Sequence, residues 1–220
     1  MDKKTSKNWD KIRIITQILF LGIFVLLLLT KRMQLWIFIF GAGVLVSVFF
    51  SRFYCGWVCP IGTLMRFQTW VYKLFHIKRL KTPEFMKSPI FKWLLLIAFI
   101  VLMLMTRMIQ LKINIILYVV AAGVLVSLIF EEAFWHKYLC PYGTILNITT
   151  RKAPLKLQID ESKCISCGLC QKECITNCIV TLENKKRHVE NKDCIMCHKC
   201  QTVCPTGAIV YKRNLDKMTK

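Results

Sequence analysis

Cys164-Ile-Ser-Cys167-Gly-Leu-Cys170-Gln-Lys-Glu-Cys174 and, 30 residues later, Cys194-Ile-Met-Cys197-His-Lys-Cys200-Gln-Thr-Val-Cys204-Pro205 are the two stretches on which the fold turns. Both runs space their thiols as C-x2-C-x2-C-x3-C. Soft thiolates at that spacing suit iron–sulfur clusters, and in paired runs three cysteines serve one cluster while the fourth crosses to its neighbour. The pattern therefore predicts two [4Fe–4S] clusters. Cys164, Cys167, Cys170 and Cys204 would hold one, and Cys194, Cys197, Cys200 and Cys174 the other. Two rival readings account for less. A zinc ribbon needs only paired C-x2-C hooks and leaves the third and fourth cysteine of each run idle. Cys194-Ile-Met-Cys197-His198 fits the C-x-x-C-H haem attachment pattern, but Cys200 and Cys204 extend it into a cluster run, with His198 a spacer in the loop.

Around these runs the sequence implies a small α+β ferredoxin-like domain made of two motifs, 155–184 and 185–214, with short strands at 155–159, 179–182 and 208–211. This tail resembles bacterial two-cluster ferredoxins, with one departure. Cys174 is followed by Ile175 rather than proline, and Cys178 sits where the second run has Ala208. Because it takes the place of a small apolar residue, Cys178 reads as a buried free thiol rather than a ligand.

Upstream of Pro154 the composition changes. The chain has 220 residues, 55% of them hydrophobic, with mean hydropathy +0.46 and a net charge of +20. Such extremes coexist only if they are segregated, and they exclude a disordered tail, a collagen or an ordinary small soluble enzyme. Apolar runs near 14–30, 35–54, 90–106 and 113–131 are expected to be four membrane spans in a domain covering 1–150. A stretch such as 23–29 offers no polar face at helical period, which argues against a helix of a soluble bundle. Lys and Arg number five in residues 1–13, eight in 52–92 and fifteen in 131–220, against two each in 31–35 and 107–112. The positive-inside rule then puts both termini and all twelve cysteines on the cytoplasmic side of a bacterial cell membrane, where structural disulfides are unfavourable. The first run lacks a small-residue cleavage site and reads as a retained span.

The spans repeat. Gly43-Val-Leu-Val-Ser47 recurs as Gly123-Val-Leu-Val-Ser127, and Cys59-Pro60-Ile-Gly62-Thr63 as Cys140-Pro141-Tyr-Gly143-Thr144, at offsets of 80 and 81. A duplicated two-helix unit follows. The small residues are expected to let spans two and four pack closely about a pseudo-two-fold axis. After Pro60, apolar residues at helical spacing with Arg66, Lys73, Lys78 and Arg79 beside them read as an interfacial helix whose basic groups face anionic lipid. The excess positive charge thus has a membrane explanation, and no nucleic acid is needed as partner. Glu131, Glu132 and Arg52 near the inner edge read as interface anchors or proton carriers.

If spans two and four continue as helices to Pro60 and Pro141, Cys55 and Cys59 share a face, as do His136 and Cys140. About the repeat axis Cys55, Cys59, His136 and Cys140 would meet at the membrane edge. Such a group could hold a further metal or cluster, serve as a redox-active thiol set, or simply pack helix ends.

Taken whole, residues 10–214 resemble the NapH/NosR-type membrane polyferredoxins, on the strength of four spans, a C-x3-C-P motif at the inner edge and a two-cluster tail. Cys55-Gly-Trp-Val-Cys59-Pro60 fits that family's motif fully, whereas His136-Lys-Tyr-Leu-Cys140-Pro141 lacks its first cysteine. The large extracytoplasmic flavin domain of NosR-like members is absent from this sequence, which is closer to the NapH form. The resemblance implies single-electron transfer between the quinone pool, or another membrane donor, and a redox partner protein, as in a quinol dehydrogenase-like system. Copper reduction or metalloenzyme assembly through Cys55 and Cys59, and cluster-based redox sensing, are the alternatives.

Overall fold

In the computed structural model, which describes residues 3–83, 86, 88–109, 114–150 and 153–213, the first apolar run lies within one long helix, α1 (Lys3–Leu29). A 3₁₀ turn (Met33–Leu35) leads into α2 (Trp36–Phe50). The second half repeats the plan with α5 (Pro89–Met108) and α6 (Ile115–Ile129). Two helical stretches, Asn8–Leu29 and Met33–Phe50, are long and apolar enough to cross a membrane, and Ile90–Thr106 and Ile115–Ile129 are shorter apolar helices. Their outward faces stay apolar: Phe38, Leu45, Leu94 and Leu125 are all exposed.

The inner ends differ from expectation. α2 does not run on to Pro60. It stops at Phe50, Ser51 adopts φ 59° and ψ −157°, and the chain restarts as α3 (Phe53–Trp57). The break buries Ser51 and Arg52 and lets the Ser51 hydroxyl donate to the Leu155 carbonyl at 3.1 Å. Arg52 is therefore interior and anchors nothing at an interface. In the second copy α6 ends at Ile129, followed by α7 (Glu132–Phe134) and a π-helical turn (Trp135–Leu139). Both copies close with the same five-residue bond, from Cys59 N–H to Tyr54 O at 3.0 Å and from Cys140 N–H to Trp135 O at 2.9 Å. The prolines then start new helices, α4 (Pro60–Leu74) and α8 (Pro141–Thr149). Proline suits the first helical position and forces the residue before it into extended backbone, so Cys59 and Cys140 become helix N-caps.

The repeats interlock, though not through direct packing of α2 on α6. α4 packs on α1 of its own repeat and on α6 of the other, and α8 packs on α5 and on α2 in the same way. The small residues serve these contacts. A Cβ on Gly43 would overlap the Tyr54 ring, and one on Gly123 would lie 2.9 Å from both Ile61 and Trp135. Gln68 of α4 donates to the Val124 carbonyl at 3.2 Å and Tyr72 to that of Leu128 at 2.9 Å, satisfying acceptors in the last turns of α6. Arg66 turns inward to the Gly56 carbonyl, 3.1 Å away, instead of toward lipid.

The tail is two antiparallel ribbons. β1 (Leu155–Ile159) pairs with β4 (Ile209–Arg213), placing Leu157 opposite Tyr211. β2 (Ile179–Thr181) pairs with β3 (Arg187–Val189), a strand that periodicity did not reveal because Val189 is its one apolar residue. One-turn helices α9 (Leu169–Lys172) and α10 (Lys199–Val203) carry the third cysteine of each run. Leu157, Ile179, Val189 and Ile209 form the apolar core together with Cys170, Cys178, Cys194 and Cys200.

Candidate iron–sulfur sites

Each tail loop winds around its thiols through two left-handed residues at matching positions, Ser166 (φ 60°) and Gly168 (φ 78°) in the first, Met196 (φ 54°) and His198 (φ 58°) in the second. This conformation is costly for residues with a Cβ, so its recurrence marks a backbone shape that the site requires. Cys164, Cys167, Cys170 and Cys204 line one small cavity, with Pro205 at its rim. Cys200 lies beside Cys197 and Cys174, so the cysteine of the first run meets those of the second. Cys204 of the second run thus stands with the thiols of the first, and Cys174 of the first beside Cys200 and Cys197. All twelve cysteines are free. Among the described residues no three His, Cys, Asp or Glu side chains converge tightly enough for a single metal ion. Four thiols lining one cavity are the soft donor set that holds an iron–sulfur cluster, so the residues fit the group.

Cys178 is buried, with its Sγ 3.5 Å from Cys174 Sγ and its N–H 3.3 Å from the same sulfur. Ala208, its counterpart in the second run, is equally buried. Cys178→Ala is therefore expected to leave the iron content unchanged and to cost about 1 kcal/mol or less, as a small swap in a packed core. Iron quantitation and thermal unfolding of the variant check this.

Where the two repeats adjoin the tail, the four expected residues are all buried. Cys59 feels Cys55 and Cys140 as close neighbours. A Cβ on Gly62 would stand 3.1 Å from the Cys55 carbonyl, so glycine there lets α4 start close beside α3, and the His136 ring of the other repeat lies within ordinary contact of the same point. The Gly143 N–H points at Cys140 Sγ, 3.4 Å away. Burial pushes the Cys140 thiol up to about 12, and raises Cys55 and Cys59 as well. Burial, then Arg52 and Arg66, hold His136 down to about 3. Uncoordinated, these groups are neutral thiols and a neutral imidazole at ordinary pH. A reactive thiol pair needs the opposite, a lowered thiol pKa.

What the sequence did not disclose is how the tail sits on this edge. The second cluster loop lies directly on α3. Trp57 Nε1 donates to Met196 O at 3.0 Å, Arg13 donates to Cys197 O, and Gln17 to Gly56 O at 2.6 Å. Gly56 faces the Ile195 carbonyl so closely that a Cβ would overlap it. His198 is more than a spacer: its ring lies near Trp9, Trp57 and Tyr211, and its Nδ1 is 2.6 Å from Gln201 Oε1. Lys137 bridges to Asp193 at 3.4 Å and Asn147 donates to Lys192 O at 2.7 Å, closing the far side.

A second opening lies between the halves. A cavity of about 1070 Å³ runs from Lys31, Gln34 and Asn114 at one end to Tyr54, Cys59, Pro60 and Tyr142 at the other. Its walls are mainly apolar and aromatic. Tyr54 accepts from Trp36 Nε1 at 3.0 Å, which leaves its own hydroxyl hydrogen to donate.

These features define a protein with ferredoxin-type 4Fe–4S domains. A 4Fe–4S binding domain matches residues 33–82 and again 114–159, segments that begin at the same 81-residue offset that relates Cys59 to Cys140, and a 4Fe–4S dicluster domain matches 163–208. Among curated proteins the chain is 31% identical to the uncharacterized protein MJ0749 of Methanocaldococcus jannaschii and 26% identical to MJ0750 of the same organism. It is 24% identical to a protein of Escherichia coli K12 provisionally named electron transport protein YccM. Each match covers 60% of this chain, and 54%, 61% and 44% of the respective relatives, so the chain spans about half their length. No solved structure matches it significantly.

Proposed function

We propose that this is a membrane-bound electron-transfer protein that passes single electrons between a lipid-soluble quinone, or another membrane donor, and a redox partner protein. The observation that carries this reading is the docking of the second cluster loop onto α3, which puts the tail thiols against the same edge that forms the inner end of the cavity. Bound [4Fe–4S] clusters would supply the one-electron chemistry. The chain's own residues bind and orient: the eight tail cysteines hold two clusters, and Trp57, Ile195 and Met196 exclude water between tail and edge. The relative named for electron transport supports the same reading.

Membrane insertion is supported by the two long apolar helices and by the apolar exposed faces of α2, α5 and α6. Four spans, with both termini and the tail on the basic, cytoplasmic side of a bacterial cell membrane, complete the proposal. The cavity is the site proposed for quinone. It is as large as a drug-sized pocket (~300–1,000 Å³), its walls are apolar, and Tyr54 offers a donor to a ring carbonyl. Anaerobic addition of a short-chain quinol analogue should bleach the clusters' visible absorbance. Ile116→Trp, which fills the cavity wall, is expected to slow that reduction at least about tenfold, the equivalent of ~1.4 kcal/mol, while reduction by a strong soluble reductant is unaffected. Failure of the quinol to reduce the wild-type protein would remove quinone from the proposal and leave another membrane donor.

A further inference from the structure

Arg52 is the most deeply buried charge among the described residues, fully enclosed at the junction of the two repeats and the tail. Its Nη2 donates to the His136 carbonyl at 3.2 Å and lies 4.0 Å from Cys55 Sγ, and its Nη1 is 3.5 Å from the Lys192 carbonyl. Its Nε has no partner, and among the described residues no carboxylate lies within ion-pair distance. A guanidinium does not lose its proton in proteins, so this one stays charged. Two carbonyl dipoles do not balance a buried cation, which is stable only beside a compensating negative charge. Space is kept for it, since a Cβ on Gly143 would stand 2.5 Å from Nη2. Ala133 occupies the corresponding place in the second repeat, so the charge is present once in the pair.

The missing anion has one available source. We propose that Cys55, Cys59, Cys140 and His136 hold a further iron–sulfur cluster built jointly by both repeats, with Arg52 as its charge partner. Three thiolates outweigh the positive core of a cubane and leave the centre anionic, while neutral thiols would supply no charge at all. Cys59 and Cys140 cap α4 and α8, so two helix N-termini also face the same point with the sign that favours an anion. Histidine in place of one cysteine is an accepted cluster ligand and raises the potential. The site lies between the cavity, whose lining includes Cys59, and the second tail loop, whose Lys192 carbonyl Arg52 touches. The inference rests on the iron–sulfur reading of this chain, but it concerns residues outside the tail.

The full chain, purified without oxygen in detergent, should hold about twelve iron atoms rather than about eight, at four per cluster. Cys59→Ser with Cys140→Ser should lower that to about eight and leave the tail's paired EPR signals unchanged, which also reports that the tail is folded. Arg52→Gln should shift the midpoint potential of the extra centre downward, and Arg52→Lys should restore it. Loss of about four iron atoms in Arg52→Gln with recovery in Arg52→Lys supports the same charge role, and loss in both variants overturns it. His136→Cys should keep the iron and lower the potential. Wild-type protein with intact tail signals and only about eight iron atoms overturns the proposal. A colourless preparation without tail signals overturns the iron–sulfur reading itself.

Discussion

Cys200→Ser is expected to remove about half of the tail's iron, about four atoms of eight, and to open the tail. Cys200 is buried in one apolar cluster with Cys170, Met196 and Ile209, and it sits beside Cys197 and Cys174. The apolar core around it contains only a few side chains beyond the thiols themselves. Domains of this size bury too little surface to be stable alone, and where ligand residues form the core, binding free energy is folding free energy. The expected readouts are collapse of the paired EPR signal to one uncoupled centre and new protease cleavage in the tail. Retention of full iron and an unchanged paired signal would refute the ligand assignment.

Gly56→Ala is expected to disengage the tail from α3 while leaving the tail's iron content unchanged. The added methyl would overlap the Ile195 carbonyl, which is backbone in the loop between Cys194 and Cys197, so neither side yields cheaply. Overpacking of this kind costs about 1–3 kcal/mol. The Gly56 carbonyl also accepts from Gln17 and Arg66, and both bonds depend on the same close approach. Iron content should be unchanged, protease cleavage near Pro154 should accelerate, and quinol-driven reduction of the tail should fall at least about tenfold. Full reduction rates in the variant would show that electrons do not pass through this contact.

The tail was legible because its ligand spacing is local. Eight thiols in two runs point to the loops that wrap, and Cys164 and Cys204 line one cavity. Apolar run length likewise predicted the helices. The inner edge was not legible, for a geometric reason. A continuous helix to Pro60 is the simplest continuation of α2, but the chain breaks at Ser51 to carry Arg52 inside, and no periodic pattern announces a buried guanidinium. Gly43 and Gly123 are contact points, but their partners are Tyr54, Ile61 and Trp135 rather than each other. The docking of tail on edge depends on backbone carbonyls of Met196 and Cys197, which every sequence possesses.

The exchange of α4 and α8 between the repeats bears on how such a chain comes to exist. A lone half would present an unclasped helix and an empty seat for its twin, so its ancestor is expected to have assembled as two identical copies before one gene encoded both. Once joined, the halves were free to diverge at single positions. His136 at the place of Cys55, and Ala133 at the place of Arg52, record that freedom. Coexpressed fragments cut between α4 and α5 should therefore find one another in the bilayer, while either fragment alone should be degraded.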